Sequence, residues 1–83
     1  MVKLDIKAFG LSVGIVWGLA MFTLGLINTS GHWGSGIVEV MSTLYIGYKP
    51  TVLGSIIGGI WGFLDAGIGG VVVAWLYNKI AKL

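Results

Sequence analysis

The sequence predicts an all-α membrane protein: a hairpin of two transmembrane helices with a short amphipathic connecting helix. Three observations support this fold class. Hydrophobic residues make up 57% of the chain and charged residues only 10%, two long segments are almost uncharged, and both segments contain the same glycine pattern. A soluble domain of 83 residues needs a charged surface, which five basic and three acidic residues cannot provide. We therefore expect a single membrane domain over residues 1–83.

Each of the two apolar segments is long enough to cross a bilayer. Only Lys7 carries a charge in the first segment, and only Asp65 carries one in the second. About 20 apolar residues are needed to cross roughly 30 Å of hydrocarbon. We expect one transmembrane helix at residues 6–28 and another at residues 51–78.

The connection between the two spans is predicted to contain a turn and a helix of a different kind. Residues 29–36 are rich in Ser and Gly, which end helices. In residues 37–48 apolar side chains recur at the i, i+3, i+4, i+7 spacing of one helical face. This segment is too short to cross a bilayer. We expect an amphipathic helix that either lies along the membrane surface or forms an ordinary packed linker.

The distribution of charged and aromatic residues predicts the orientation of the hairpin. Four of the five basic residues lie near the two ends of the chain, Lys3, Lys7, Lys79 and Lys82, and the fifth, Lys49, lies in the connection. Because cytoplasmic segments carry the excess of Lys and Arg, both termini are expected on the cytoplasmic side of the cell membrane. Aromatic side chains are expected to anchor the hairpin at the two membrane–water interfaces: Trp33, Tyr45, Tyr48, Trp75 and Tyr77.

The pattern G-x3-G-x2-W-G-x6-G occurs once in each span and predicts close helix packing. Its glycines are Gly10, Gly14, Gly18 and Gly25 in the first copy, and Gly54, Gly58, Gly62 and Gly69 in the second. At about 100° per residue, the four glycines of each copy fall within roughly 80° of the helix surface. Such faces let helix backbones approach closely in lipid, either within one chain or between chains. Because the two spans cross in opposite directions, the repeat would be an inverted one.

A second small face on the second span predicts more than one neighbour. It consists of Gly59, Gly67 and Gly70, about 140–220° round the helix from Gly54. Since one partner helix cannot use both faces, we expect the second span to contact at least two neighbours. The inner helix of a homo-oligomer would do so.

Asp65 is the most specific candidate for a functional residue, because it falls near the middle of the second span. An ionised Asp at the bilayer centre costs about 2.5–3.5 kcal/mol on insertion scales. Its side chain is therefore expected to face protein or water. It is either a proton, cation or pore-lining site, or a neutral carboxyl hydrogen-bonded across a helix interface to Trp17 or Trp61. Those two tryptophans are otherwise expected to fill space beside the glycines.

Other functional classes find no support in the sequence. The chain has no Cys, so disulfides and thiolate chemistry are excluded, and its one His, His32, has no second ligand at metal-binding spacing. We find no catalytic triad, phosphate-binding loop or nucleic-acid-binding patch. We expect no enzymatic activity, no cofactor, no metal and no nucleic-acid partner.

Three segments carry a resemblance to known proteins: residues 3–10 (KLDIKAFG), 44–50 (LYIGYKP) and 61–65 (WGFLD). They look like segments of small bacterial and archaeal membrane proteins described as holin-like. The two spans, basic ends and glycine-lined helices also resemble the class II holins of bacteriophages. The resemblance implies oligomerisation in the cytoplasmic membrane and allows for the formation of holes, with no catalytic residues.

A second resemblance is to the rotor-ring c subunit of ATP synthases, a glycine-rich helical hairpin of similar length. That family has a carboxylate in its second helix, which here would be Asp65. The connection departs from the family, because it contains Lys49 and Pro50 without the family's Arg-Gln-Pro motif. Three hypotheses therefore stand. The chain is a holin-like or channel-like homo-oligomer, a structural or accessory subunit of a larger membrane complex or lattice, or a proton-carrying rotor-ring subunit.

Overall fold

The computed structural model describes residues 3–81, which contain three helices and no strand. The helices are α1 (Ile6–Ile27), α2 (Ser35–Ser42) and α3 (Val52–Ala81). Both α1 and α3 are long and apolar enough to cross a membrane, which confirms the predicted all-helical class with two candidate spans. Lys82, which contributes to the predicted orientation, lies outside the described residues.

Local capping defines both ends of α1. The Asp5 carboxylate accepts a hydrogen bond from the Ala8 N–H at 3.0 Å, as an N-cap residue does. At the other end, the Asn28 amide donates to the carbonyl oxygens of Leu24 and Trp33, at 3.0 and 2.8 Å. The helix therefore stops at Ile27, one residue before the predicted boundary.

The two long helices run antiparallel and approach at backbone distance through their glycines. A Cβ atom added at Gly14 would lie 2.8 Å from the carbonyl oxygen of Phe63, and one at Gly18 would lie 2.9 Å from that of Gly59. Real Cβ contacts are not this short, so only glycine fits at these two positions. Close contact of this kind lets van der Waals packing hold helices together where the hydrophobic effect does not act.

A reciprocal pair of hydrogen bonds closes the hairpin at the end opposite the connection. The Leu4 N–H donates to Asn78 Oδ1 at 2.7 Å, and the Asn78 amide donates to the Leu4 carbonyl oxygen at 2.8 Å. The Asn78 side chain therefore satisfies backbone groups that precede α1. One turn earlier on α3, the Trp75 ring lies 4.8 Å from Lys79 Nζ, a cation–π contact.

The connection folds back against both long helices and reaches far along α3. The Trp61 indole N–H donates to the carbonyl oxygen of Ile46 at 2.9 Å. Trp61 lies nine residues after Val52, where α3 begins, which corresponds to about 14 Å along the helix axis. The chain turns back toward α3 at Gly47, whose φ of 92° is in the left-handed region that favours glycine. We call residues 43–50 the re-entrant segment, because they fold back along the hairpin.

This arrangement corrects two predictions made for the connection. The helix predicted at residues 37–48 instead spans Ser35–Ser42, so it begins inside the predicted turn, and Gly47 takes a left-handed conformation that an α-helix cannot contain. Tyr45 and Tyr48, predicted as interface anchors, are buried inside the hairpin at 3% and 1% exposure. The apolar spacing fits either a surface helix or a packed linker; in the structure the Tyr45 hydroxyl bonds to Asp65 of α3 and the Tyr48 hydroxyl to the Met21 carbonyl of α1.

Candidate functional site

A chain of three hydrogen-bonded side chains links α1, the re-entrant segment and α3. The Trp17 indole N–H donates to Tyr45 Oη at 3.0 Å, and the Tyr45 hydroxyl donates to Asp65 Oδ2 at 2.6 Å. Each of the three segments contributes one residue. The donors all point toward Asp65, so its side chain is the acceptor that ends the chain.

The Tyr45 side chain is fixed by aromatic contacts as well as by hydrogen bonds. Its ring stacks on Trp61 with a centroid distance of 6.1 Å and an interplanar angle of 5°. It also contacts the Tyr48 ring at 6.3 Å with a tilt of 51°. Burial raises the pKa of the Tyr45 hydroxyl, and its hydrogen bond to Asp65 raises it further. The hydroxyl therefore stays protonated at neutral pH and remains a donor.

Tyr48 holds the re-entrant segment closer to the N-terminal end of α3 than Tyr45 does. Its hydroxyl donates to the Met21 carbonyl oxygen at 2.5 Å, and its ring covers Gly58, where an added Cβ would overlap the ring atoms. Met21, Tyr48 and Val38 of α2 belong to one buried apolar cluster with Tyr45. Burial raises the pKa of the Tyr48 hydroxyl, so it too remains a donor.

Asp65 remains exposed although Tyr45 binds one of its oxygens. Within residues 3–81, no other side chain is seen to donate to it. It borders an open groove of about 410 Å³ whose walls are otherwise mostly apolar. The groove is lined by Leu44, Tyr45, Trp61, Leu64, Asp65 and Ile68. The hydrogen bond predicted from Asp65 to Trp17 or Trp61 is replaced by one to Tyr45: the Trp17 N–H donates to Tyr45, and the Trp61 N–H donates to the Ile46 carbonyl oxygen.

The glycines of the first copy all face α3. Gly10 lies against Val71 and the carbonyl oxygen of Gly67, and Gly25 lies against Ser55. The remaining two, Gly14 and Gly18, make the backbone contacts described above. All four predicted packing positions on α1 are therefore used within one chain.

The sequence suggested that the two small faces of α3 contact neighbouring helices of an oligomer, whereas in the structure both faces have neighbours within the chain. The second face, Gly59, Gly67 and Gly70, approaches the α1 backbone, and so does Gly62 of the repeat face. Of the repeat glycines, Gly54 meets Lys49 and Thr51, Gly58 meets Tyr48, and Gly62 meets Met21, Gly18 and Trp17. The inference that α3 needs two neighbours is thus met inside the chain, by α1 and the connection. The two small faces of α3 are therefore not by themselves evidence for a second copy of the chain.

Gly69 is the exception among the predicted packing glycines. An added Cβ there would meet nothing within 4 Å. Gly69 follows Asp65 by four residues, so both lie on one face of α3 a single turn apart. The re-entrant segment covers this face at Gly58 and leaves it bare at Gly69.

The remaining predicted interface anchors lie at the two ends of the hairpin. Trp33, near the connection, is 72% exposed, and Trp75, near the opposite end, is 52% exposed. Tyr77 is 41% exposed beside Trp75. These positions fit aromatic side chains at two separate interfaces, and the anchoring role stays a prediction.

We expect Tyr45→Phe to destabilise the hairpin more than Tyr48→Phe. The first change removes the hydroxyl that pairs with both Trp17 and Asp65, and two hydrogen bonds lost at about 0.5–1.5 kcal/mol each cost about 1–3 kcal/mol. The second removes one bond to a carbonyl that already accepts within α1, which costs about 0.5–1.5 kcal/mol. Unfolding of both variants in mixed micelles, followed by circular dichroism, measures the difference. Equal losses would contradict a bridging role for the Tyr45 hydroxyl.

Sequence reasoning missed the two tyrosines as site residues, although a signal existed. Asp65, Trp17 and Trp61 are all placed mid-span by the sequence, and each needs a polar partner. The connection holds hydroxyl groups at Tyr45 and Tyr48 with a glycine between them. The spacing of apolar residues hid this possibility, because it fits a helix equally well.

The structure supplies a class of protein but no closer identity. It is an all-helical chain with two helices capable of spanning a membrane. No family model matches the sequence, and neither does any curated protein or solved structure. Within residues 3–81, no three His, Asp or Glu side chains come together as metal ligands would. The functional argument therefore depends on Asp65 and its surroundings.

Proposed function

We propose that the chain is an integral protein of the cytoplasmic membrane that assembles into a homo-oligomer with a channel-like polar path beside Asp65. In this proposal α1 and α3 cross the bilayer as an inverted repeat, and both termini face the cytoplasm. The re-entrant segment enters the membrane from the outer side.

The outward-facing side chains of both helices support placement in a bilayer. Exposed apolar residues occur along the full length of the hairpin, for example Leu19 at 59% and Ile68 at 65%. Soluble monomers rarely expose contiguous apolar patches larger than a few hundred Å². In a bilayer the same side chains contact lipid, and the Ile46 carbonyl oxygen of the re-entrant segment accepts a hydrogen bond from Trp61 of α3.

The exposed carboxylate of Asp65 is the observation that carries the proposal. It lies near the middle of a 30-residue apolar helix and is not enclosed by its own chain. Facing lipid there, an ionised Asp would cost about 2.5–3.5 kcal/mol on insertion scales. A neighbouring copy or a water-filled path removes this cost. Intramembrane carboxylates that face such spaces mark ion pathways.

Gly69 supports assembly on the same face. Its surface is bare within the chain, so a neighbouring helix can approach the α3 backbone one turn from Asp65. Contact at Gly69 would bring a second copy beside the groove and cover the carboxylate. The proposed interface is therefore continuous with the proposed polar path.

The test combines the mass of the purified particle with ion flux through liposomes. We expect one oligomer of defined mass and measurable flux from the unaltered chain. Gly69→Leu is expected to reduce the particle to monomers while the hairpin stays folded. Asp65→Asn is expected to lower flux by about tenfold, equivalent to roughly 1.4 kcal/mol in the barrier.

Glu39→Gln provides the matched control for Asp65→Asn. It removes the same charge from an exposed position on α2, away from the groove, and should leave flux unchanged. A monomeric particle in mild detergent together with tight liposomes would overturn the proposal. Equal flux from the Asp65→Asn variant and the unaltered chain would also count against a path beside Asp65.

A structural or accessory subunit is the second candidate, and one observation favours it. The glycine contacts of α1, and most of those of α3, are satisfied within a single chain, so the hairpin does not require copies of itself to pack. Foreign subunits that co-purify at fixed ratio would support this role. The third candidate, a rotor-ring subunit, is less favoured, because the connection packs back against both helices instead of forming a short polar loop.

A further inference from the structure

We propose that the groove beside Asp65 binds a lipophilic organic cation, such as a quaternary ammonium or phosphonium ion. The inference rests on the part of the proposed function that places the hairpin in a bilayer. It does not require an oligomer or conduction, because the carboxylate, the aromatic rings and the apolar walls all belong to one chain.

The groove combines one acidic group with aromatic and aliphatic walls. Trp61 and Asp65 are four residues apart on α3, so their side chains are neighbours on one helical face. Tyr45 holds both of them: it donates a hydrogen bond to Asp65 and stacks on the Trp61 ring. Leu44, Leu64 and Ile68 complete the lining. The volume of about 410 Å³ lies within the range of small-molecule sites.

The charge of the groove favours a cation, and no basic residue lines it. The Tyr45 hydroxyl fixes the orientation of the Asp65 carboxylate while leaving the side chain exposed to the groove. Trp61 is 39% exposed, so part of its ring is available for a cation–π contact. Cation–π attraction is strongest for Trp and is the usual means of recognising quaternary ammonium groups.

The chemistry of the donors favours an organic cation over a metal ion. Only two side chains in the lining carry oxygen, Asp65 and Tyr45, whereas Ca²⁺ takes six to eight oxygen ligands and Mg²⁺ an octahedral set. A small inorganic ion would lose its hydration without enough replacement ligands. A cation surrounded by its own hydrocarbon groups needs no such ligands and gains apolar contact with Leu44, Leu64 and Ile68.

The experiment titrates tetraphenylphosphonium into the full chain in uncharged detergent micelles and follows heat and tryptophan fluorescence. Triphenylphosphine oxide, which is neutral and similarly aromatic, measures partition into the micelle. We expect saturable binding of the cation, about tenfold tighter than that of the neutral compound. Asp65→Asn is expected to reduce cation affinity to the level of the neutral compound, and Glu39→Gln to leave it unchanged.

Ile68→Lys provides a second route if Asp65→Asn fails to fold. Ile68 is 65% exposed at the edge of the groove and three residues from Asp65 on α3, so a lysine there should pair with the carboxylate and repel the cation. We expect this variant to keep the helical spectrum and lose about tenfold in affinity for the cation but not for the neutral compound. Equal binding of the charged and neutral compounds, or cation binding unaltered by both Asp65→Asn and Ile68→Lys, would overturn the inference. An intact oligomer that conducts but does not bind the cation would overturn this inference alone.

Discussion

Gly14→Leu is expected to separate α1 from α3 and unfold the hairpin, whereas Gly69→Leu should leave the hairpin folded. At Gly14, an added Cβ would lie 2.8 Å from the Phe63 carbonyl oxygen and 3.0 Å from the Gly67 Cα. Both are backbone atoms, which cannot move aside as the end of a flexible side chain can. At Gly69, the same atom would meet nothing within 4 Å.

The different surroundings of Gly14 and Gly69 set the expected change in the free energy of unfolding for each variant. Overpacking usually costs about 1–3 kcal/mol where neighbouring side chains can adjust, and we expect at least the upper end of that range at Gly14. Gly69→Leu should be neutral or slightly stabilising, because replacing glycine within a helix recovers roughly 0.5–1 kcal/mol. Unfolding in mixed micelles with increasing dodecyl sulfate, followed by circular dichroism, measures both changes. Similar unfolding midpoints for the two variants would contradict the backbone contact between α1 and α3.

The pair of variants also separates folding from assembly. Gly69→Leu alters the one repeat glycine that the chain itself leaves uncovered, so a loss of particle mass without a loss of helix would locate the interface between copies. Substitutions at Gly58 or Gly62 cannot make this distinction, because the chain covers both positions. A change there would disturb the hairpin first.

The two spans could be predicted from the sequence because length and lack of charge are sufficient to identify them. Both α1 and α3 begin and end within a few residues of the predicted positions. The close approach of Gly14 and Gly18 to a neighbouring helix could also be predicted, because few other roles suit glycine within an apolar helix. Composition and periodicity therefore gave the class of fold.

The neighbours of each glycine could not be predicted. Helical geometry shows which residues share a face but does not show what covers that face. Gly58 and Gly59 are adjacent in the chain, yet one lies under the Tyr48 ring and the other against the α1 backbone. To predict which neighbour covers each glycine, one would need to know the path of the connection. That path depends on hydrogen bonds between distant residues such as Tyr45 and Asp65.

Gly58→Leu is expected to displace the Tyr48 ring and release the re-entrant segment from the hairpin. An added Cβ at Gly58 would overlap the Tyr48 ring, which is 1% exposed and has no free space to occupy. Displacement would break the Tyr48 bond to the Met21 carbonyl and withdraw Tyr45 from Asp65. Gly36→Leu is the matched control, because Gly36 lies in α2 and its added Cβ would meet nothing within 4 Å.

Release of the segment can be measured with a thiol, since the chain has no native cysteine. Val38 is 5% exposed within the cluster that contains Tyr48, so Val38→Cys places a buried thiol under the segment. We expect Gly58→Leu to raise its rate of maleimide labelling by about tenfold or more, corresponding to roughly 1.4 kcal/mol of local stability. Gly36→Leu should leave the rate unchanged.

A double-mutant cycle decides whether this effect arises from the ring itself. In the Tyr48→Ala background the space above Gly58 is already empty, so Gly58→Leu should have little further effect on labelling. The two changes should therefore be strongly non-additive, as expected for residues in direct contact. Additive effects would mean that Gly58→Leu acts by distorting α3, and that the Tyr48 ring does not hold the re-entrant segment in place. Since the same segment carries Tyr45 to Asp65, the cycle also tests whether the polar chain depends on the fit of one tyrosine ring over one glycine.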